Sequence, residues 1–305
     1  MDLYASMRVF THVAEASGFT AASTRLGLSR AAVSKHIAQL ESHLGGQLLQ
    51  RTTRRVSLTE VGQTYYARCK QILEDVADAE CIVTGLNTEP RGTLRLNAPM
   101  SFGIKQLAPL LNRFTLRYPQ LQIDLSLNDR LVDVVEEGYD LVIRIAALKD
   151  SRLIARRLAP SRHILCAASD YLDRYGRPET TDDLTQHQCL RYTYTKNSNE
   201  WRLARRGTEQ RVRITGPLLV NNGDAICAAT ESGAGIALLP TFIAGDAVRS
   251  GKLEVILRDY DCPTLGIYVV YSSSRHQSAK VRALIDFLAQ EISDPPGWDA
   301  DIFPH

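Results

Sequence analysis

One stretch, Gly18 to Gly62, constrains this chain more than any other: GFTAASTRLGLSRAAVSKHIAQLESHLGGQLLQRTTRRVSLTEVG. Phe19 and Thr20 open a helix, with Thr20 as its expected N-cap and Ala21, Ala22 and Leu26 as small or apolar inward positions. Gly27 supplies the left-handed turn that glycine takes most cheaply. Ser29 then caps a second helix, whose apolar stripe is Ala32, Val33, Ile37, Leu40 and Leu44, the spacing of one buried face. The opposite face carries Arg30, Ala31, Ser34, Lys35 and Gln39. A capped helix after a glycine turn, with short polar and cationic groups at its exposed end, suits the major groove of double-stranded DNA. Past it, Arg51, Thr52, Thr53, Arg54 and Arg55 sit between Leu48-Leu49 and the Val56/Leu58 alternation. That pattern reads as a wing, two short strands whose basic tip reaches phosphates or the minor groove.

Charge supports this reading. From Ala21 to Leu58 there are six Lys or Arg and one acid, Glu41, whereas the whole chain is only +2. The positive charge is therefore concentrated in the stretch, as a DNA-facing surface requires. A solvated basic face on an ordinary helical domain is the plainer explanation. It leaves the glycine turn, the two capped helices and the basic hairpin unaccounted for together.

The flanking segments extend the pattern. Asp2 to Ser17 reads as a helix whose stripe of Leu3, Met7, Phe10, Val13 and Ala14 packs behind the two helices. Thr59 caps a proline-free run of about thirty residues in which Tyr65, Cys69, Ile72, Val76, Ala79, Val83 and Leu86 recur at alternating spacings of four and three. The other faces are mainly acidic (Glu74, Asp75, Asp78, Glu80), which is poor for touching DNA. One narrow apolar seam on a single long helix cannot bury itself. Packing against its own domain is one outlet; pairing with a second copy, to hold two heads over an inverted repeat, is the favoured one.

The run from Leu3 to Gly62 resembles the DNA-binding region of LysR-type transcriptional regulators, through FTHVAEASGFTAAS, LGLSRAAVSKHIAQLE and LGGQLLQRTTRRVSLTEVG. Arg30-Ala31 departs from the Gln-Pro or Gln-Ser that commonly heads the second helix in that family, so the base preference is expected to differ while the docking mode is kept. The DNA-contacting set is expected to be Thr20, Ser29, Arg30, Ala31, Ser34, Lys35, Arg51, Thr53, Arg54 and Arg55. Within it Arg30, Ala31 and Ser34 face base edges, and Lys35 with the wing arginines faces phosphates or the minor groove. The resemblance further implies a linker helix that dimerises, a homotetramer, a small-molecule effector and RNA polymerase as a further partner.

Thr88 to Gly92 (TEPRG) breaks the long helix, and the pattern changes to alternating strands and helices. Expected strands are Leu94–Ala98, Leu121–Leu127, Leu141–Ile145, His163–Ala168, Leu218–Val220, Ile236–Leu239 and Gly266–Tyr271. Expected helices are Ile104–Tyr118, Leu131–Glu137, Asp170–Tyr175, Asp224–Ser232 and Ala279–Glu291, with a hairpin around Arg205-Arg206-Gly207. Such units imply a parallel sheet with helices on both faces. Two lobes joined by crossings near Ser161 and Thr264 resemble the periplasmic-binding-protein arrangement. YDLVIRI and SGAGIALLP extend the LysR-type resemblance to its effector domain. The fold expected is thus α+β and multidomain: a winged helix-turn-helix over 1–58, a linker helix over 59–88, and a two-lobed α/β effector-binding domain over 89–305. Its first lobe takes 91–161 and 265–293, its second 162–264. The tail after Ser293 is expected to be disordered or loosely docked.

Ligands of such sheets bind in the crevice at strand carboxyl ends. Two strand-to-helix turns, Pro99–Gly103 and Asn221–Asp224, present opposed helix N-termini there, suited to a small organic anion. The candidate pocket is Ser101, Phe102, Asn128, Arg144, Tyr194, Trp201, Asn221 and Asp224. Taken singly, each has a plainer role: Ser101 as a cap, Arg144 in an ion pair, Trp201 in hairpin packing.

Enzyme chemistry has little to stand on. Gly233-x-Gly235 lacks a third glycine and precedes a strand, so it is no dinucleotide fingerprint. There is no phosphate-binding loop, no Gly-x-Ser-x-Gly elbow and no His/Cys cluster at metal spacing, so neither cofactor nor metal is expected. His163 and His187 read as core or surface residues. The six cysteines (69, 81, 166, 189, 227 and 262) are scattered, with no signal segment ahead of them, which suits reduced thiols in a cytoplasm. A thiol redox sensor on the same scaffold is the alternative; it needs a reactive, exposed cysteine, and Cys166 and Cys227 lie in apolar or small-residue contexts. No run of apolar residues is long enough for a membrane span, so no membrane partner is expected.

Overall fold

The computed structural model describes residues 1–51, 56–84, 89–147, 153–195, 197–272, 275 and 278–303, without the side chains of 51, 74, 78 and 81–84. The chain falls into two compact units, Met1–Thr88 and Glu89–His305.

In the first unit the helices are α1 (Leu3–Ala16), α2 (Phe19–Leu26) and α3 (Arg30–Leu44), followed by strands β1 (Leu49–Arg51) and β2 (Val56–Leu58) and the long helix α4 (Glu60–Thr84). Asp2 caps α1 by accepting from the Ala5 amide at 3.0 Å. The α2–α3 corner forms because Gly27 adopts φ +64°, a left-handed value open to glycine at little cost, and closes α2 onto Ser23 and Thr24 carbonyls. Ser29 caps α3 through Ala32 N–H at 3.1 Å. The cap of α2 is Gly18, without a side-chain bond; Thr20 is the second helical residue and does not cap. Val9, Phe10, Val13, Ala22, Val33, Ile37, Leu40, Leu48 and Leu49 make the core. Leu3 and Leu44 at the ends of their stripes are exposed, as is Ala21.

The second unit contains β3 (Gly92–Ala98), α5 (Met100–Phe102), a π-helical turn (Gly103–Leu107), α6 (Ala108–Arg117), β4 (Leu121–Leu127), β5 (Leu141–Ala146) and β6 (Ile154–Ala167). Then come α7 (Ser169–Tyr175), β7 (Cys189–Tyr192), β8 (Glu200–Arg205), β9 (Thr208–Arg213), β10 (Leu219–Val220), α8 (Gly223–Glu231), β11 (Ile236–Pro240), α9 (Thr241–Arg249), β12 (Glu254–Val255), β13 (Thr264–Tyr271) and α10 (Ala279–Glu291). Among the described residues one sheet runs β10-β7-β11-β6-β13-β5-β3-β4, with β12 also on β6.

The sheet is mixed rather than parallel. β3 pairs parallel with β4 and β5, and β7 parallel with β10 and β11, but β13 and β6 run antiparallel to each other and to their other neighbours. The reason lies in the crossings: β6 carries the chain out of one lobe and β13 carries it back, side by side at Thr264↔Arg162 and Leu265↔Ser161. β6 is consequently 14 residues long, its first part on β13 and its last on β11.

Three further expectations are corrected. Residues 131–137 form turns, with Asp133 accepting from the Val135 and Glu136 amides, so local side-chain bonding displaces helix there. The expected helices lack α9, which follows Pro240 directly; the proline's missing N–H falls at a helix start, where it costs nothing. Residues 294–303 of the tail are docked: Ile302 is 3% exposed and Asp299 6%.

Candidate DNA interface and effector crevice

The head presents one side of α3. Ser29, Arg30, Ala31, Lys35 and Gln39 are exposed, Ser34 is half-buried, and Val33, Ile37 and Leu40 are fully buried on the other side. A groove of about 420 Å³ lined by Met1, Lys35, Ala38, Gln39, Ser42 and His43 continues that exposed side. Thr20 is exposed on α2, with its carbonyl engaged by the Ser23 hydroxyl. β1 and β2 pair antiparallel, Leu49↔Leu58 to Arg51↔Val56, which makes a wing stem. Its tip, with Thr53, Arg54 and Arg55, lies outside the described residues. The lone acid of the basic stretch serves this stem: Glu41 accepts from the Leu48 and Leu49 amides at 2.9 and 3.1 Å. Thr59 donates to the Gln47 carbonyl and caps α4 through Gly62 N–H.

Along α4 the apolar seam changes role. Tyr65 and Cys69 turn into the head core, whereas Ile72 is 42% exposed and Ala79 is exposed as well. Val83 and Leu86 lie outside the described side chains.

In the second unit Ser101, Asn128 and Arg144 stand at the carboxyl ends of three neighbouring strands, where the pairs Ala98↔Leu127 and Asn97↔Val142 set them level. Among the described residues Ser101 Oγ, Asn128 Oδ1 and Arg144 Nε are buried without a hydrogen-bond partner, an uncommon condition for polar atoms. Arg144 donates from Nη2 to the Val132 carbonyl, the one hydrogen bond its fork makes among the described residues. Facing them, a Cβ placed on Gly223 would lie 3.6 Å from Ser101 Oγ. Lys105 pairs with Asp224 at 3.6 Å. Asp129, absent from the sequence-derived set, accepts from Met100 N–H at 2.8 Å and lies near the Tyr192 hydroxyl of β7. Burial first, then Asp129, hold that phenol well above its usual range. Tyr194, half exposed, stands edge-on to Tyr192 at 5.9 Å.

One N–H of each helix start is taken by the chain's own oxygen: Asp129 on Met100 N–H, and Asn222 on Ala225 N–H at 2.9 Å. Asn222 rather than Asn221 caps α8, and Asn221 is exposed. Phe102 is fully buried against Phe242 and Trp298, and Trp201 packs with Leu203, Val212 and Tyr260, so both are core residues and not crevice walls. Lys105, Asp129 and Tyr192 carried no motif; Lys105 lies one helical turn past Ser101 and Asp129 beside Asn128, the only local hints.

The described thiols are held protonated. Burial pushes Cys227 up to about 11 and Cys189 and Cys262 up to about 12, and raises Cys69 and Cys166 as well. Among the described residues no group of His, Cys, Asp and Glu could hold a metal, and no described helix is long and apolar enough to cross a membrane.

A winged helix-turn-helix head with a two-lobed α/β crevice domain defines a ligand-responsive DNA-binding regulator. Family comparison agrees: the "Bacterial regulatory helix-turn-helix protein, lysR family" matches residues 4–63 and the "LysR substrate binding domain" matches residues 87–293. The chain belongs to the LysR family of transcriptional regulators. It is similar to the HTH-type transcriptional regulator DmlR of Escherichia coli K12, 37% identical over 96% of each chain. A Haemophilus influenzae HTH-type transcriptional regulator is 38% identical, covering 93% of this chain and 99% of that one. The structure of CrgA, a LysR-type regulator from Neisseria meningitidis, superposes with a TM-score of 0.62 at 32% identity, covering 94% and 98% of the two chains.

Proposed function

We propose that the chain is a cytoplasmic regulator that reads an inverted-repeat operator as a dimer joined along α4, associates further into a tetramer, and changes its geometry on DNA when a small organic anion enters the crevice. The observation that carries the DNA reading is the division of α3, cationic and exposed on one side, fully buried on the other. Arg30, Ala31 and Ser34 then face bases, and Lys35, Arg51, Thr53, Arg54 and Arg55 face the backbone. The exposed Ile72 and Ala79 support pairing along α4. The three orphaned atoms at Ser101, Asn128 and Arg144 support an oxygen-rich effector: Arg144 Nε offers a donor, the Ser101 hydroxyl both roles, and Asn128 Oδ1 an acceptor for a ligand hydroxyl. The raised thiols favour this over redox sensing.

Two measurements test it. Arg54→Ala should weaken binding across DNA sequences and flatten the dependence of log K on log salt by about one unit; an unchanged slope removes Arg54 from the phosphate contacts. Titration calorimetry against a panel of organic acids and matched amines should show heats for acids only, abolished by Arg144→Gln. Binding confined to neutral or cationic compounds refutes the anion reading.

A further inference from the structure

The family match ends at residue 293, yet the ten residues from Asp294 to Phe303 make some of the most specific contacts of the second unit. Gly297–Asp299 is a short 3₁₀ turn whose middle residue, Trp298, stands edge-on to Phe102 at 5.9 Å and to Phe242 at 6.4 Å, while those two rings meet at 5.4 Å. Phe102 belongs to the helix start that carries Ser101; Phe242 belongs to α9, in the other lobe. The next residue, Asp299, buries its carboxylate, accepting from Thr241 Oγ1 at 2.5 Å and from Arg162 Nη1 at 3.1 Å. Arg162 is the residue at which β6 passes from β13 to β11, and its guanidinium also lies over the Phe303 ring. Arg249 at the end of α9 donates to the Trp298 and Ala300 carbonyls.

These contacts reach three places at once: the crevice helix of one lobe, the facing helix of the other, and the crossing between them. Spreading the lobes about the crossings pulls Phe102 and Phe242 apart, and Trp298 fills the wedge that would open. A buried carboxylate is costly unless it keeps its partners, so Asp299 anchors the tail to one position of the crossing. We propose that residues 294–303 are a strap that sets the separation of the two lobes, with Trp298 and Asp299 as positioning residues for the effector crevice. The functional consequence rests on the crevice being the effector site; the mechanical one does not.

Hydrogen exchange of the full-length protein, read by mass spectrometry without ligand, tests the mechanical part. Trp298→Ala, and a chain ending at Ser293, should speed exchange about tenfold at amides 100–107 and 161–166, while the β8–β9 hairpin stays within twofold. Trp298→Phe, which keeps an aromatic wedge, should restore slow exchange. Asp299→Asn, which keeps the shape and removes the charge, should loosen 161–166 in particular and serves if the larger changes impair folding. Unchanged exchange at the crossings, or equal loosening of the hairpin, overturns the strap. Absence of any acid binding would refute the anion reading and leave these rates as they are.

Discussion

Gly62 lies in the first turn of α4, where replacement by alanine brings two effects of opposite sign. In an exposed helix, Gly→Ala gains about 1 kcal/mol from helix propensity and a stiffer unfolded chain. Here the added Cβ would stand 1.9 Å from the Leu48 carbonyl oxygen, 2.8 Å from its carbon and 3.0 Å from Thr59 Oγ1. Relief requires a shift of more than an ångström between α4 and the root of β1. Neither side yields easily: Leu48 is 1% exposed, Glu41 holds its amide, and its carbonyl accepts from Thr59 N–H at 3.0 Å. Overpacking against fixed backbone costs about 3 kcal/mol, so the net loss is about 2 kcal/mol, or roughly 8–16 °C for a unit of this size. Both tryptophans lie in the second unit, so tryptophan fluorescence reports that unit alone, while far-UV circular dichroism reports the helices of both and follows the head where it departs from the fluorescence. Gly62→Ala should shift the circular-dichroism transition and leave the fluorescence transition in place. An unchanged or higher head midpoint would show that the wing root is not held as described. Gln63→Ala, an exposed neighbour, is the matched control.

Other outcomes follow from the same geometry. Ser29→Ala should cost the head about 1 kcal/mol, and Thr20→Ala under about 0.5 kcal/mol, because only Ser29 caps a helix; equal losses in urea melts would contradict that assignment. His163 is held down at about 4 by burial, against which its bonds to the Pro263 and Ser161 backbone act. Its neutral form is the folded one, so unfolding takes up a proton below about pH 6.5, and stability falls from there until it levels off near pH 4. The residue keeps part of its surface exposed, which trims the full effect of about 3 kcal/mol to roughly 1–2 kcal/mol. His163→Gln should flatten the fluorescence-detected stability profile over that window, and an unaltered profile would count against the assignment. In a Cys81→Ser background, native protein should react with a thiol reagent slowly at every remaining cysteine and rapidly in urea. One fast native thiol would revive the redox alternative.

The head was nearly all legible in the sequence because its signals are local. A glycine at Gly27, a cap at Ser29 and an apolar stripe at Val33, Ile37 and Leu40 act within a few residues of one another, and no distant contact overrides them. The crevice was legible only as an address. Strand ends mark where Ser101, Asn128 and Arg144 stand, but the partners that qualify them arrive from far along the chain: Asp224 to Lys105, Tyr192 to Asp129. Phe102 and Trp201 read equally well as walls or core, since an aromatic side chain does not announce which side of a lobe it faces.

Periodicity and capping within the sequence were enough to determine the helix-turn-helix, the wing stem, the long α4 and the alternation of strands and helices beyond it, since each rests on near-neighbour geometry. Only tertiary structure decided the antiparallel crossings, the bond from Met100 N–H to Asp129, and the docking of residues 294–303. Those depend on which surfaces meet, and a tail of Asp, Pro and Gly becomes ordered only where Trp298, Asp299 and Ile302 find prepared places.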